Sequence, residues 1–165
     1  MNALAEVNAM APEKFIAAFG DVAEHSPWVA RHAAAVRPFA SREAMIAAFV
    51  AALNGASREA QLALIRAHPD LATKAKLTAD SSREQAGAGL SSLTPEEFAR
   101  FTHLNDFYKA KFDFPFIFAV RGATKHQILA SFAERVNNAP EEEFATAIAQ
   151  ICRIFGFRIE DRVSP

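Results

Sequence analysis

PEEEFATAIAQICRIFGFRIEDR, residues 140–162, decides the fold class. Phe144, Ile148, Ile151, Phe155 and Ile159 recur every three or four residues, the spacing of one face of an α-helix. Pro140 and the three glutamates behind it are a helix opening, since acids stabilise the positive end of the helix dipole. The same period appears upstream in Met45, Phe49 and Leu53, and again in Phe98, Phe101, Leu104, Tyr108 and Phe112. Alanine is abundant and β-branched residues are scattered, which favours helix over strand.

Helix punctuation extends this reading. Ser41 and Ser57 read as N-caps, and Gly55 ends the helix between them. Thr94-Pro95-Glu96-Glu97 supplies a cap, an N1 proline and a capping-box glutamate. The spacing predicts helices over roughly 12–19, 27–35, 41–53, 57–67, 82–90, 94–111, 124–137 and 140–162. Ser-Arg-Glu occurs at 41, 57 and 82 and reads as a recurrent helix opening. The expectation is an all-α, single-domain helical bundle of about seven or eight helices over residues 1–165.

Two stretches resist the helical period. Leu71 to Ser81 is polar and aperiodic. Lys111 to Gly122, KFDFPFIFAVRG, is extended in character, with Pro115 disfavouring helix at Phe114. A lone strand has no partner, so a buried irregular segment is expected, its backbone groups bonded to something, a ligand being one candidate.

Composition narrows the function. A net charge of −1 gives no basic surface for nucleic acid or anionic membrane. The single cysteine, Cys152, rules out an internal disulfide and reads as core. Met1 to Met10 shows no secretory pattern, and the apolar run Phe114 to Val120 is far too short to span a bilayer. A cytoplasmic protein is expected. His25 and His32 lack a third ligand, and no HExxH, phosphate loop or GxSxG elbow is present, so no metal site is expected.

Four polar residues stand out. His68 closes a helix, with Pro69 behind it, and shares the apolar face of Leu64 and Ile65. There it could be a satisfied C-terminal histidine or an acid–base group. Glu84 sits three residues after Ser81, which fits a capping box; its alternative is a carboxylate turned toward His68. Gly87 and Gly89 follow and suggest close approach of another backbone. Arg158 projects from the apolar stripe, so it needs an anion, whether a structural glutamate or a ligand. Asn105 lies between Phe101 and Tyr108 and reads as a structural amide.

Taken in order, these stretches resemble a known family. They are Glu24-His25-Ser26-Pro27-Trp28, Arg37-Pro38-Phe39, Ala67-His68-Pro69-Asp70-Leu71, Ser82-Arg83-Glu84-Gln85 with Ala88-Gly89-Leu90, Leu104-Asn105-Asp106-Phe107-Tyr108, Phe112 to Ile117, and Arg158-Ile159. The set, from about residue 12 to 163, resembles the OHCU decarboxylases (2-oxo-4-hydroxy-4-carboxy-5-ureidoimidazoline decarboxylases).

The resemblance implies an all-helical homodimer acting in urate breakdown without metal or organic cofactor. The substrate is the small molecule OHCU and the product (S)-allantoin. It implies His68 and Glu84 as catalytic and Arg158 as substrate-binding. Ser81, Gln85, Pro69 and the backbone of Phe116, Ile117 and Phe118 are implied substrate contacts. Asp113 replaces the glycine usual in the family, and Gly156 replaces a better helix former ahead of Arg158. No fused hydrolase domain is expected. Two rival readings stay open at this point: a non-catalytic helical interaction module, and a lyase or hydrolase acting on a related ureido compound. The enzyme reading requires that the stretches carrying His68, Glu84 and Arg158 border one hollow.

Overall fold

The computed structural model describes residues 1–165 and is all-α. Nine helices follow one another: α1 (Leu4–Ala9), α2 (Pro12–Phe19), α3 (Trp28–Ala34), α4 (Arg42–Asn54), α5 (Arg58–Ala67), α6 (Ala79–Gly87), α7 (Pro95–Phe112), α8 (Lys125–Arg135) and α9 (Pro140–Glu160). The helix not anticipated from spacing is α1, which is too short to show a period. No helix is long and apolar enough to cross a membrane.

The caps explain most boundaries. Ser41 Oγ accepts from Ala44 N–H, and Ser57 Oγ from Ala60 N–H. Thr94 and Glu97 form the reciprocal capping box ahead of α7, and Thr124 and Gln127 form another ahead of α8. The third Ser-Arg-Glu, at 82, opens nothing. The cap of α6 is Thr78, whose hydroxyl accepts from Ser81 N–H, and Asp80 sits in the first turn. The helix thus starts three residues earlier than the tripeptide suggests, and Ser81 is inside it rather than capping it.

The chain divides into two compact units. The first comprises Met1–Ala67 and Ile151–Pro165. Its core holds Phe15, Phe19, Phe49 and Phe155, all fully buried, with Phe49 edge-on to Phe155 at 6.1 Å. The chain ends are tied within it: Asn2 N–H donates to Arg162 O, and Ser164 N–H to Asn2 O. Arg37 lies over the Phe15 ring and donates to the carbonyls of Val7, Met10 and Ala34.

The second unit is His68–Gln150. Phe101, Tyr108, Phe116 and Phe132 are fully buried or nearly so in its core, and Phe116 lies parallel to Phe132 at 3.8 Å. Helix α7 ends at Asp113, whose φ of 61° is left-handed. The position needs φ > 0, which aspartate tolerates better than most residues. Phe114–Val120 then runs as buried irregular chain, the expected state of this segment.

Helix α9 contributes Pro140–Gln150 to the second unit and Ile151–Glu160 to the first. The five residues of its apolar stripe are all buried. Gly156 does not interrupt it, and a Cβ there would meet only Ile46 Cγ2, at 3.8 Å.

Candidate functional site

His68 directly follows the last residue of α5 and is buried, at 8% exposure. Pro69 behind it cannot extend the helix, so the chain leaves as a loop. That loop is held by side chains. The Gln85 amide spans it, Oε1 accepting from Ala72 N–H at 2.9 Å and Nε2 donating to Asp70 O at 3.3 Å. Asn105 Nδ2 donates to Leu71 O at 2.9 Å, and Lys109 Nζ pairs with the Asp70 carboxylate at 2.6 Å. Asn105 is structural, as expected, and its partner is the 71–81 stretch. Together these bonds hold Ala72 at φ 55°, a left-handed conformation that a residue with a Cβ adopts only at a cost.

On α6, Ser81 and Gln85 are buried and Glu84 half-buried, at spacings that put them on one helix face. With Thr78 as the cap, Glu84 lies in the second turn, where no capping box operates. The capping-box reading of this carboxylate is therefore removed. Gly89 takes φ 83° to turn the chain after the helix, and no neighbour lies within 4 Å of a Cβ built at Gly87 or Gly89. Gly89 serves the turn, and neither glycine makes the close backbone approach suggested by the sequence.

The Phe116, Ile117 and Phe118 backbone is held from a second direction. Arg135 Nη1 donates to Ile117 O at 2.7 Å, and Ala119 N–H donates to Gln150 Oε1 at 2.9 Å. Arg135 Nε also pairs with Glu143 Oε1 at 2.8 Å, which in turn accepts from Tyr108 OH at 2.6 Å. Asn138 Nδ2 donates to the other Glu143 oxygen at 3.0 Å. Burial, reinforced by the Glu143 carboxylate, pushes the Tyr108 phenol above its ordinary range, so it stays a hydroxyl donor. Sequence reasoning passed over this cluster, taking Glu143 as one of three dipole acids. The available signal was that Glu143, Ala147 and Gln150 share a helix face.

Ser81, Glu84, Gln85, Pro69 and the 116–118 segment thus fall in the same unit as His68. The structure joins α6 to the His68 loop through Gln85. Arg158 belongs to the first unit and is 3% exposed. Its Nη1 donates to Glu24 Oε2 at 2.8 Å and to Val22 O at 3.2 Å. A structural glutamate thus faces the guanidinium, and Glu24 itself is 2% exposed. Burial also pushes the Cys152 thiol up, so it stays a thiol and not a nucleophilic thiolate.

The family model for OHCU decarboxylase matches residues 8–160. The chain belongs to the OHCU decarboxylase family. It is thereby an enzyme of the carboxy-lyase class. A 2-oxo-4-hydroxy-4-carboxy-5-ureidoimidazoline decarboxylase of Haloferax volcanii is 40% identical over 161 residues, covering 98% of this chain and 96% of that protein. The uric acid degradation bifunctional protein of Bacillus subtilis is 39% identical, and its match covers 96% of this chain but 32% of that protein. Among solved structures, an (S)-allantoin synthase aligns with a TM-score of 0.79 at 31% identity, over 98% of this chain and 54% of that one. This family member thus spans about half of the solved chain and nearly the whole of the archaeal relative.

Proposed function

We propose that the chain decarboxylates OHCU to (S)-allantoin in urate degradation, with His68 as the acid–base group and Glu84 as its partner. The observation that carries the roles is the Gln85 bridge, which fastens the loop opening at His68 to the helix turn bearing Glu84. Family membership supports the coarser statement, OHCU decarboxylation within purine breakdown.

The substrate carries its own electron sink. Its carboxylate is on the hydroxyl-bearing carbon, next to a C=N bond. As CO₂ leaves, the C–C electron pair forms a C=C bond and the former imine nitrogen gains a proton. The resulting enol then loses its O–H proton and gains one at the ureido-bearing carbon. The protein therefore has to move protons and deliver one of them to a single face. In this reading His68 engages the substrate hydroxyl. Glu84 orients the imidazole or accepts a ureido N–H. Ser81, Gln85, Pro69 and the backbone of Phe116, Ile117 and Phe118 border the substrate. Arg158 holds substrate oxygens, an assignment supported by the resemblance, with Glu24 fixing its guanidinium.

The family resemblance further supports a homodimer, and the reading includes a cytoplasmic location with residues 1–165 working as one domain. Light scattering in solution tests the dimer. Incubation with freshly generated OHCU, read by the optical activity of the allantoin formed, tests the reaction. Spontaneous decay gives racemate, and the enzyme is expected to give one enantiomer. Racemic product at the uncatalysed rate overturns the proposal. Glu84→Gln is expected to lose turnover with an unchanged melting temperature; lost stability with retained activity overturns the role given to Glu84.

A further inference from the structure

We infer that Arg135, held by Glu143 and Tyr108, is a positioning residue that sets the 116–118 backbone for substrate recognition. The inference rests on the site proposed above and adds what holds its irregular wall in place. Three observations converge. First, the Arg135 fork joins a charge to a carbonyl: Nε faces Glu143 while Nη1 donates to Ile117 O, in the middle of the segment. Second, the guanidinium lies over the Phe116 ring, 4.3 Å from its centroid, so it also fixes the ring adjacent to that carbonyl. Third, the arrangement is costly. Glu143 is fully buried and Arg135 is 8% exposed, so both charges are held out of water. A purely structural filler would do better with apolar side chains of similar volume, since a buried ion pair is weak evidence for stability.

The segment explains the cost. Phe114–Val120 has no ladder or helix to orient its peptide groups, so each orientation must be imposed from outside. Arg135 imposes it at Ile117 and Gln150 at Ala119, leaving the geometry of the intervening peptide groups defined. Lysine cannot reproduce this, because a single ammonium lacks the planar fork that serves Glu143 and Ile117 together.

The test is steady-state kinetics on freshly generated OHCU. Arg135→Lys is expected to raise KM about tenfold, the equivalent of one misplaced hydrogen bond, while kcat changes by less than about threefold. Tyr108→Phe keeps the ring packing and the ion pair, and is expected to raise KM by a smaller factor in the same direction. It carries the test if Arg135→Lys does not fold. A merely structural role would lower the amount of active enzyme, cutting kcat at constant KM; that result, or unchanged KM in the folded variants, overturns the inference. Wild-type protein without turnover, or His68→Asn with normal kcat, would instead sink the underlying site. An active wild type, a dead His68→Asn and an unchanged KM in Arg135→Lys would sink the positioning role alone.

Discussion

Two irregular stretches of the second unit, the loop at 69–72 and the segment at 114–120, solve the same problem with a different balance of amide and charge. Both lack a regular backbone ladder, and both carry residues assigned to the site. The first is pinned by neutral amides, Gln85 and Asn105, with the Lys109–Asp70 pair at its edge. The second is pinned at Ile117 by a buried charge cluster, Arg135, Glu143 and Tyr108, with one neutral amide, Gln150, at Ala119. Amides satisfy backbone groups without a charge to desolvate, so the loss of one leaves a modest debt. A buried ion pair is far less forgiving, because removal of one partner strands the other. The contrast predicts that the two regions fail differently.

The largest effect is expected at Glu143. Glu143→Ala leaves Arg135 buried without its carboxylate and should lower unfolding stability by about 3–5 kcal/mol in denaturant titration. Substitution of Arg135 and Glu143 together by apolar residues should cost less than Glu143→Ala alone; equal losses would mean the charges are not coupled. Next comes Asn105→Ala, which leaves Leu71 O buried without its donor and should cost about 1–3 kcal/mol. If it matches Glu143→Ala, the distinction between amide and charge pinning is wrong. Smaller still, and opposite in sign, is Gly156→Ala, a control in the first unit. Its Cβ makes only ordinary contact, so the helix should gain about 1 kcal/mol, with both irregular stretches unaffected.

The smallest effect is a pH dependence at the mouth of α7. The Lys125 ammonium and the Thr94 N–H hold the Glu97 carboxyl at about 2, against 4.5 ordinarily. A depressed carboxyl stabilises the fold above its unfolded value and loses that contribution as pH falls toward the folded one. Acid melting curves of wild type and Glu97→Gln should therefore converge between about pH 4.5 and 2. Parallel curves through that window would deny the pair a role.

The helices were legible because their signals are local. Ser41, Ser57 and Thr94 cap what they precede, and the α9 stripe is buried along its length. The failure at α6 was also local: Thr78 and Ser81 both offer hydroxyl caps, and the chain uses the earlier one. What spacing could not supply was tertiary. Arg158 meets a glutamate 134 residues away, Asn105 reaches back to Leu71, and the left-handed turn at Ala72 is bonded by side chains from two helices. Glu143 was hidden for a further reason. Three adjacent glutamates look alike in a helix opening, and only the one facing Arg135 is buried. His68 and Glu84 came from the ordered family pattern, which outweighed the reading of each residue alone.

The account turns on His68 moving protons on the substrate, so the decisive measurement is kcat of His68→Asn on freshly generated OHCU. A fall of about 10²–10⁴ with an unaltered melting temperature is predicted. Turnover within a few-fold of wild type, in a variant that folds normally, would contradict it.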